Sequence, residues 1–171
     1  GLKKSIATPH VISDLYRNTP ETIHKALQVL REALQQQQIN YEVNAAAEYF
    51  LDEVFLELLA KKELLTLKDN LILTEFSFSS MPRQPEELSF KIIMEGYSPI
   101  LAHPERYSYY HDQPKMFDRL KEVGFLLQVN LLSLTGYYGK AVSKAAKYII
   151  ENNLCSFVGT DLHHHNHLRA F

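Results

Sequence analysis

The sequence predicts an α/β fold in which parallel strands alternate with helices, as an open sheet or a barrel. Three observations carry that prediction. Six short apolar runs of strand character each lead into a polar group capable of chemistry. His10 follows Ser5 to Pro9, Glu48 follows Val43 to Ala47, Glu75 follows Leu71 to Thr74, and His103 follows Ser98 to Ala102. Asn130 follows Leu126 to Val129, and Asp161 with His163 follows Cys155 to Thr160. Three helix-to-strand junctions, Met94-Glu95-Gly96, Glu122-Val123-Gly124 and Glu151-Asn152-Asn153, place Gly or Asn where a left-handed helix cap is wanted. Consecutive polar strand ends stand about 27 to 38 positions apart, the length of one strand-helix unit. Sequence identity between these units is negligible, so the repeat is architectural.

Taken in order, the first strand is expected over Leu2 to Thr8. After a polar loop, Thr19 can cap a helix whose first turn suits Pro20, and Ile23, Ala26, Leu27, Leu30, Ala33 and Leu34 keep helical spacing. Tyr41 to Ala47 reads as the second strand. Glu53 to Lys62 reads as a helix with Val54, Leu58 and Leu59 on one face and Lys61 and Lys62 complementing its macrodipole. The turn at Lys68-Asp69-Asn70 opens the third strand, and a proline-rich loop precedes a helix from Glu86 to Glu95.

Composition narrows the function. At 171 residues the chain suits a single domain, 1–171, long enough to bury roughly 70% of the surface its unfolded form exposes. A net charge of -2 offers no basic stripe for nucleic acid. No apolar run approaches the roughly 20 residues that span a bilayer, and no signal-peptide pattern opens the chain, so the sequence reads as cytoplasmic. The one cysteine, Cys155, fits a reducing compartment and a small core residue. It heads no phosphate-cradling loop, which excludes cysteine-based phosphatase chemistry.

In barrels of alternating strands and helices the active site lies at the C-terminal face, just past the strands. His10, Glu48, Glu75, His103, Asp161 and His163 would converge on that rim. Imidazoles with carboxylates and no thiolate suit Zn, Mn or Fe, and several carboxylates permit two or more ions. Arg106 and Arg169, two of six arginines, follow candidate ligands by a few residues and can bind phosphate in a fork. Within His163-His164-His165-Asn166-His167 only His163 is assigned as a ligand, the rest being loop residues, and His24 and His111 have no assignment to the site. Tyr107, Tyr109 and Tyr110 either line a pocket for an aromatic substrate or serve packing.

These motifs carry a resemblance. Ala7-Thr8-Pro9-His10, Ala47-Glu48-Tyr49, Leu73-Thr74-Glu75-Phe76, Ala102-His103-Pro104-Glu105-Arg106 and Gly159-Thr160-Asp161-Leu162-His163, in that order, resemble the bacterial protein-tyrosine phosphatases of the polymerase and histidinol phosphatase (PHP) superfamily. Those metal-dependent enzymes are associated with capsular and exopolysaccharide synthesis. The resemblance implies a distorted TIM-like (β/α)7 barrel holding two or three divalent ions, most often manganese, with iron or zinc as alternatives. It implies that His10, Glu48, Glu75, His103, Asp161 and His163 are ligands, that Arg106 is a phosphate-binding catalytic group, and that Arg169 is a second. It implies a phosphotyrosine protein as substrate, the cognate bacterial tyrosine kinase controlling polysaccharide export. Water activated at the ions would attack phosphorus in line, with the arginines neutralising equatorial charge and no covalent phosphoenzyme.

The sequence departs from this family at its front. Members begin with a strand carrying a His-x-His pair, and no such pair occurs before His10. The expectation is an incomplete barrel, with the first βα unit and the final helix absent, weak or no activity, and self-association through the open edge. Two rivals stand beside the tyrosine phosphatase. One is a small-metabolite phosphatase of the histidinol-phosphatase type; the other is a non-catalytic module that binds the kinase.

Overall fold

The computed structural model describes residues 2–170. Its eight described strands, all paired in parallel, form two sheets. The larger runs in chain order apart from one skip: β2 (His10–Val11), β4 (Glu48–Phe50), β5 (Leu71–Glu75), β6 (Ser98–Ala102), β7 (Leu126–Asn130) and β8 (Cys155–Gly159). The smaller sheet joins β1 (Lys4–Ala7) to β3 (Glu42–Ala45).

Those two short strands explain the skip. Each of the first two expected strands is broken in the middle, β1 from β2 at Thr8-Pro9 and β3 from β4 at Ala46-Ala47. Pro9 has no N–H to give to a ladder, although its carbonyl accepts from Glu48 N at 3.0 Å. The register does not slip, since Ala7 faces Ala45 on one side of the break and His10 faces Glu48 on the other. His10 and Glu48 therefore begin short strands of the large sheet, where the sequence placed them at strand ends.

Helices α1 (Pro20–Gln36), α2 (Glu53–Lys61), α3 (Pro85–Met94), α4 (Lys115–Glu122) and α6 (Lys140–Glu151) connect the strands, with short α5 (Leu131–Thr135) after β7. Thr19 caps α1 in a reciprocal box with Thr22, and Pro20 occupies its first turn. Gly96, Gly124 and Asn153 hold positive φ at the three expected junctions. Lys62 does the same after α2, at φ 57°, without a glycine to mark it. The buried face of α2 is rotated from the expected one: Phe55 and Leu59, four apart, are buried, while Val54 is exposed.

Side chains alternate across each strand. One face of the sheet carries Ile72, Leu101, Leu127 and Val129 into cores completed by the helices, including Phe117, Leu120 and Ile149. The opposite face carries a small cluster of Leu73, Ile100 and Ala102. Tyr107 and Tyr110 are fully buried in the larger core and Tyr109 packs on it, which decides for packing over a substrate pocket. A further helix, α7 (His165–Ala170), follows β8 and takes in His165 and His167, which the sequence placed in a loop. No helix among the described residues is long and apolar enough to cross a membrane.

Candidate metal centre

The site lies at the C-terminal end of the large sheet, on the face that carries Leu73 and Ile100. Glu48 pairs with Leu73, so Glu48 shares that face with Glu75, two residues further along β5. His10, opposite Glu48, shares it too. One ligand atom from each of His10, Glu48 and Glu75 lies within 4.8 Å of the others.

His103 reaches the same place by a different device. Strand alternation would send its side chain to the helix-covered face. Instead the backbone turns left-handed at φ 37°, ψ 52°, and Nε2 shares a hydrogen bond with Glu48 Oε1 at 3.0 Å. Nε2 is also 3.9 Å from Glu75 Oε2. Asp161, two residues beyond β8, is likewise left-handed at φ 49°. Such backbone costs about 1–3 kcal/mol per non-glycine residue and persists only where surrounding contacts impose it.

Glu48 and Glu75 are 4% and 3% exposed. Two neighbouring carboxylates repel, and burial penalises both, unless positive charge lies between them. The imidazoles supply some. The Glu75 carboxylate holds His10 above its ordinary pKa range, against burial, with Glu48 adding to the rise. Burial pushes His103 down, but the hydrogen bond and charge of Glu48 outweigh it and the net shift is upward. His10 Nδ1 lies 3.0 Å from Glu75 Oε1 and 3.9 Å from Glu48 Oε2, a buried nitrogen beside two carboxylates without a hydrogen bond of good geometry to either. Oxygen and imidazole donors converging in this way fit a divalent cation of the Mn, Fe or Zn kind.

Asp161 belongs to a second, adjoining group. Its Oδ2 accepts from Arg106 at 2.9 Å and from the Asn130 side-chain amide at 2.7 Å, and its Oδ1 is 3.2 Å from His163 Nδ1. His163 joins the two groups, its ring stacked 5.8 Å from that of His10. Arg106 lies between two aromatic faces, 5.0 Å from the Phe78 ring centre and 4.6 Å from that of Tyr138, which fixes the guanidinium plane. Asp161 is its one side-chain hydrogen-bond partner among the described residues.

The remaining candidate stands apart. Arg169 is exposed on α7 and makes no hydrogen bond or ion pair with another described residue. Three residues absent from the sequence assignment do touch the site. Asn130 is one; it appeared among the polar strand ends, which was the available signal. His167, expected in a loop, is buried, because α7 turns its ring back to within 3.1 Å of the Asp161 carbonyl. Phe78, on Arg106 and stacked 5.5 Å from His103, has no signal in the sequence.

The sequence profile of the family described as capsular polysaccharide synthesis, CpsB/CapC, matches residues 1–170. The chain belongs to the CpsB/CapC family. Within it, YwqE of Bacillus subtilis, named a tyrosine-protein phosphatase, is 34% identical over 164 residues, 95% of this chain and 65% of YwqE. CpsB of Streptococcus pneumoniae, also named a tyrosine-protein phosphatase, is 29% identical over 95% of this chain and 70% of its own length. A crystal structure from work on YwqE and CpsB, described as metal-dependent tyrosine phosphatases, superposes with a TM-score of 0.86 at 34% identity, covering 94% of this chain and 66% of that one. This chain thus has the α/β fold of a CpsB/CapC structure and spans about two thirds of the length of these relatives.

Proposed function

We propose that this chain is a cytoplasmic, metal-dependent phosphomonoester hydrolase acting on phosphotyrosine, the substrate being a bacterial tyrosine kinase that controls polysaccharide synthesis. The observation that carries this reading is the convergence of two buried carboxylates, Glu48 and Glu75, with two imidazoles, His10 and His103, beside an arginine clasped by aromatic rings. Names of relatives at 34% and 29% identity support the same chemistry. Sequential parallel strands with the site at their C-terminal end support a finer reading of the large sheet as an arc of a distorted (β/α)7 barrel of the PHP type.

In this reading His10, Glu48, Glu75, His103, Asp161 and His163 hold two or three divalent ions, manganese first among them. Bound there, such ions would supply Lewis acidity and lower the pKa of a coordinated water toward neutrality. Arg106 binds the phosphate: Asp161 occupies one N–H, the rings of Phe78 and Tyr138 hold the plane, and the remaining N–H groups meet the equatorial oxygens as charge develops. Arg169, exposed on α7 and apart from these groups, is in this reading the second arginine available to phosphate.

The test is calorimetric titration of the purified protein with Mn²⁺, followed by hydrolysis assays on a phosphotyrosyl peptide and on small phosphomonoesters such as histidinol phosphate. Mn²⁺ binding with preference for the peptide is the expected result. Preference for the small ester would move the substrate to the metabolite class, and absence of metal binding would make the chain a kinase-binding module. Arg106→Ala is expected to lower kcat about 100-fold while Mn²⁺ stoichiometry is unchanged. Equal loss of both would move Arg106 to a structural role.

A further inference from the structure

Glu105 lies between His103 and Arg106 in sequence, and its side chain belongs to neither group of ligands. It is 0% exposed, as are Asn130 and Ser133. Its Oε1 accepts two hydrogen bonds, from the backbone N–H of Asn130 at 2.9 Å and from the Ser133 hydroxyl at 2.6 Å. Its own carbonyl meets His111 Nε2 at 2.8 Å, so both ends of the residue are pinned. The Asn130 side chain then continues outward to Asp161 Oδ2, the oxygen that Arg106 also reaches. The result is a closed loop of four residues: Glu105 holds the Asn130 backbone, Asn130 holds Asp161, Asp161 holds Arg106, and Arg106 is covalently next to Glu105.

Burying a carboxyl and a carboxamide here is costly, the more so because Glu105 Oε2 and Asn130 Oδ1 have no hydrogen-bond partner among the described residues, and apolar side chains would stabilise a purely structural junction as well or better. The carboxamide, moreover, points away from the core toward Asp161. An asparagine N–H₂ offers only donors, so Asp161 Oδ2 accepts from Asn130 and Arg106 together while its other oxygen is turned toward His163.

We infer that Glu105 and Asn130 are positioning residues that set the orientation of the Asp161 carboxylate relative to Arg106 and to the bound cations. This rests on the metal-centre reading above. The arrangement acts as outer support does in metal sites generally, where loss of a partner hydrogen-bonded to a ligand weakens metal binding by about 10–100-fold.

Asn130→Ala is the decisive variant, because it removes the amide on Asp161 while its backbone N–H and Ser133 still satisfy Glu105. Mn²⁺ affinity by calorimetry, kcat and KM for a phosphotyrosyl peptide, and the melting temperature without metal are measured together. The expected result is a loss of at least about tenfold in Mn²⁺ affinity and in kcat, with KM within about threefold. Asn130→Asp, which sets a carboxylate against Asp161, is expected to lose at least as much. Glu105→Gln keeps the accepting oxygen and is expected to stay near wild type, whereas Glu105→Ala follows Asn130→Ala. Should Glu105→Ala fail to fold, the Asn130 pair decides alone. Wild-type Mn²⁺ affinity and kcat in Asn130→Ala would overturn the inference, and so would losses confined to melting temperature. A wild-type protein that binds no Mn²⁺ would instead overturn the metal-centre reading itself.

Discussion

β1 and β6 are both short strands that lead toward a histidine, yet four of five residues in β6 are buried whereas three of four in β1 are exposed. The difference lies in their neighbours. β6 has β5 and β7 on either side and helices over one face; among the described residues β1 pairs with β3 alone. The helix beside β1 repeats the contrast. α1 keeps the expected apolar spacing, but only Ile23 is buried and Leu30 is 44% exposed. Apolar spacing therefore specifies the element, and the count of partners specifies whether it becomes core. Between α1, β1 and the residues after β8 runs a groove of about 630 Å³ that reaches Glu48, Asp161 and His163. The thinly covered corner at α1 and β1 thus adjoins the cluster of ionisable groups.

The largest test of this contrast is Leu127→Ala, at a position with 0% exposure between β6 and β8. A buried Leu→Ala change costs about 2–5 kcal/mol, read as a lower urea midpoint at unchanged m-value. A smaller loss would mean that the central core repacks readily. Next comes Gly124→Ala, where φ is +104° and an added Cβ would lie 2.7 Å from Ile93 Cδ1. We expect about 1–3 kcal/mol there, and less for Gly96→Ala, whose Cβ would meet nothing within 4 Å. Equal losses at the two glycines would show that backbone strain alone sets the effect.

Smaller effects are expected around α1. Thr19→Ala removes one half of the capping box and should cost about 1 kcal/mol by thermal unfolding. Ile6→Ala on β1, where the side chain is 45% exposed, should stay within about 0.5 kcal/mol. A loss at Ile6 approaching that at Leu127 would show that the groove beside β1 is covered in solution, and the contrast between the two regions would dissolve.

Much of this was legible in the chain itself. The left-handed junctions at Gly96, Gly124 and Asn153 were marked by residues that tolerate positive φ, and the strand ends by an abrupt change from apolar to ionisable side chains. What stayed hidden has a physical reason in each case. Lys62 adopts the same left-handed cap without any compositional mark. Val54, Leu58 and Leu59 satisfy helical periodicity as well as Phe55 and Leu59 do, and only contact with the sheet selects between the faces. Tyr107 and Tyr110 could serve packing or recognition by composition, and their full burial decides it. His167 is indistinguishable from its neighbours in a histidine-rich stretch until a turn of helix folds it under Asp161.

The sequence alone determined the alternation of strands and helices and the set of ionisable groups that follow the strands, because both are written in local periodicity and in where it stops. Which of those groups meet was decided by the tertiary structure. Parallel register puts His10, Glu48 and Glu75 on one face, and left-handed backbone at His103 reverses what strand alternation would have imposed. Arg169, equally plausible by composition, lies exposed on α7. Side-chain direction depends on pairing partners far along the chain, and no local pattern encodes them.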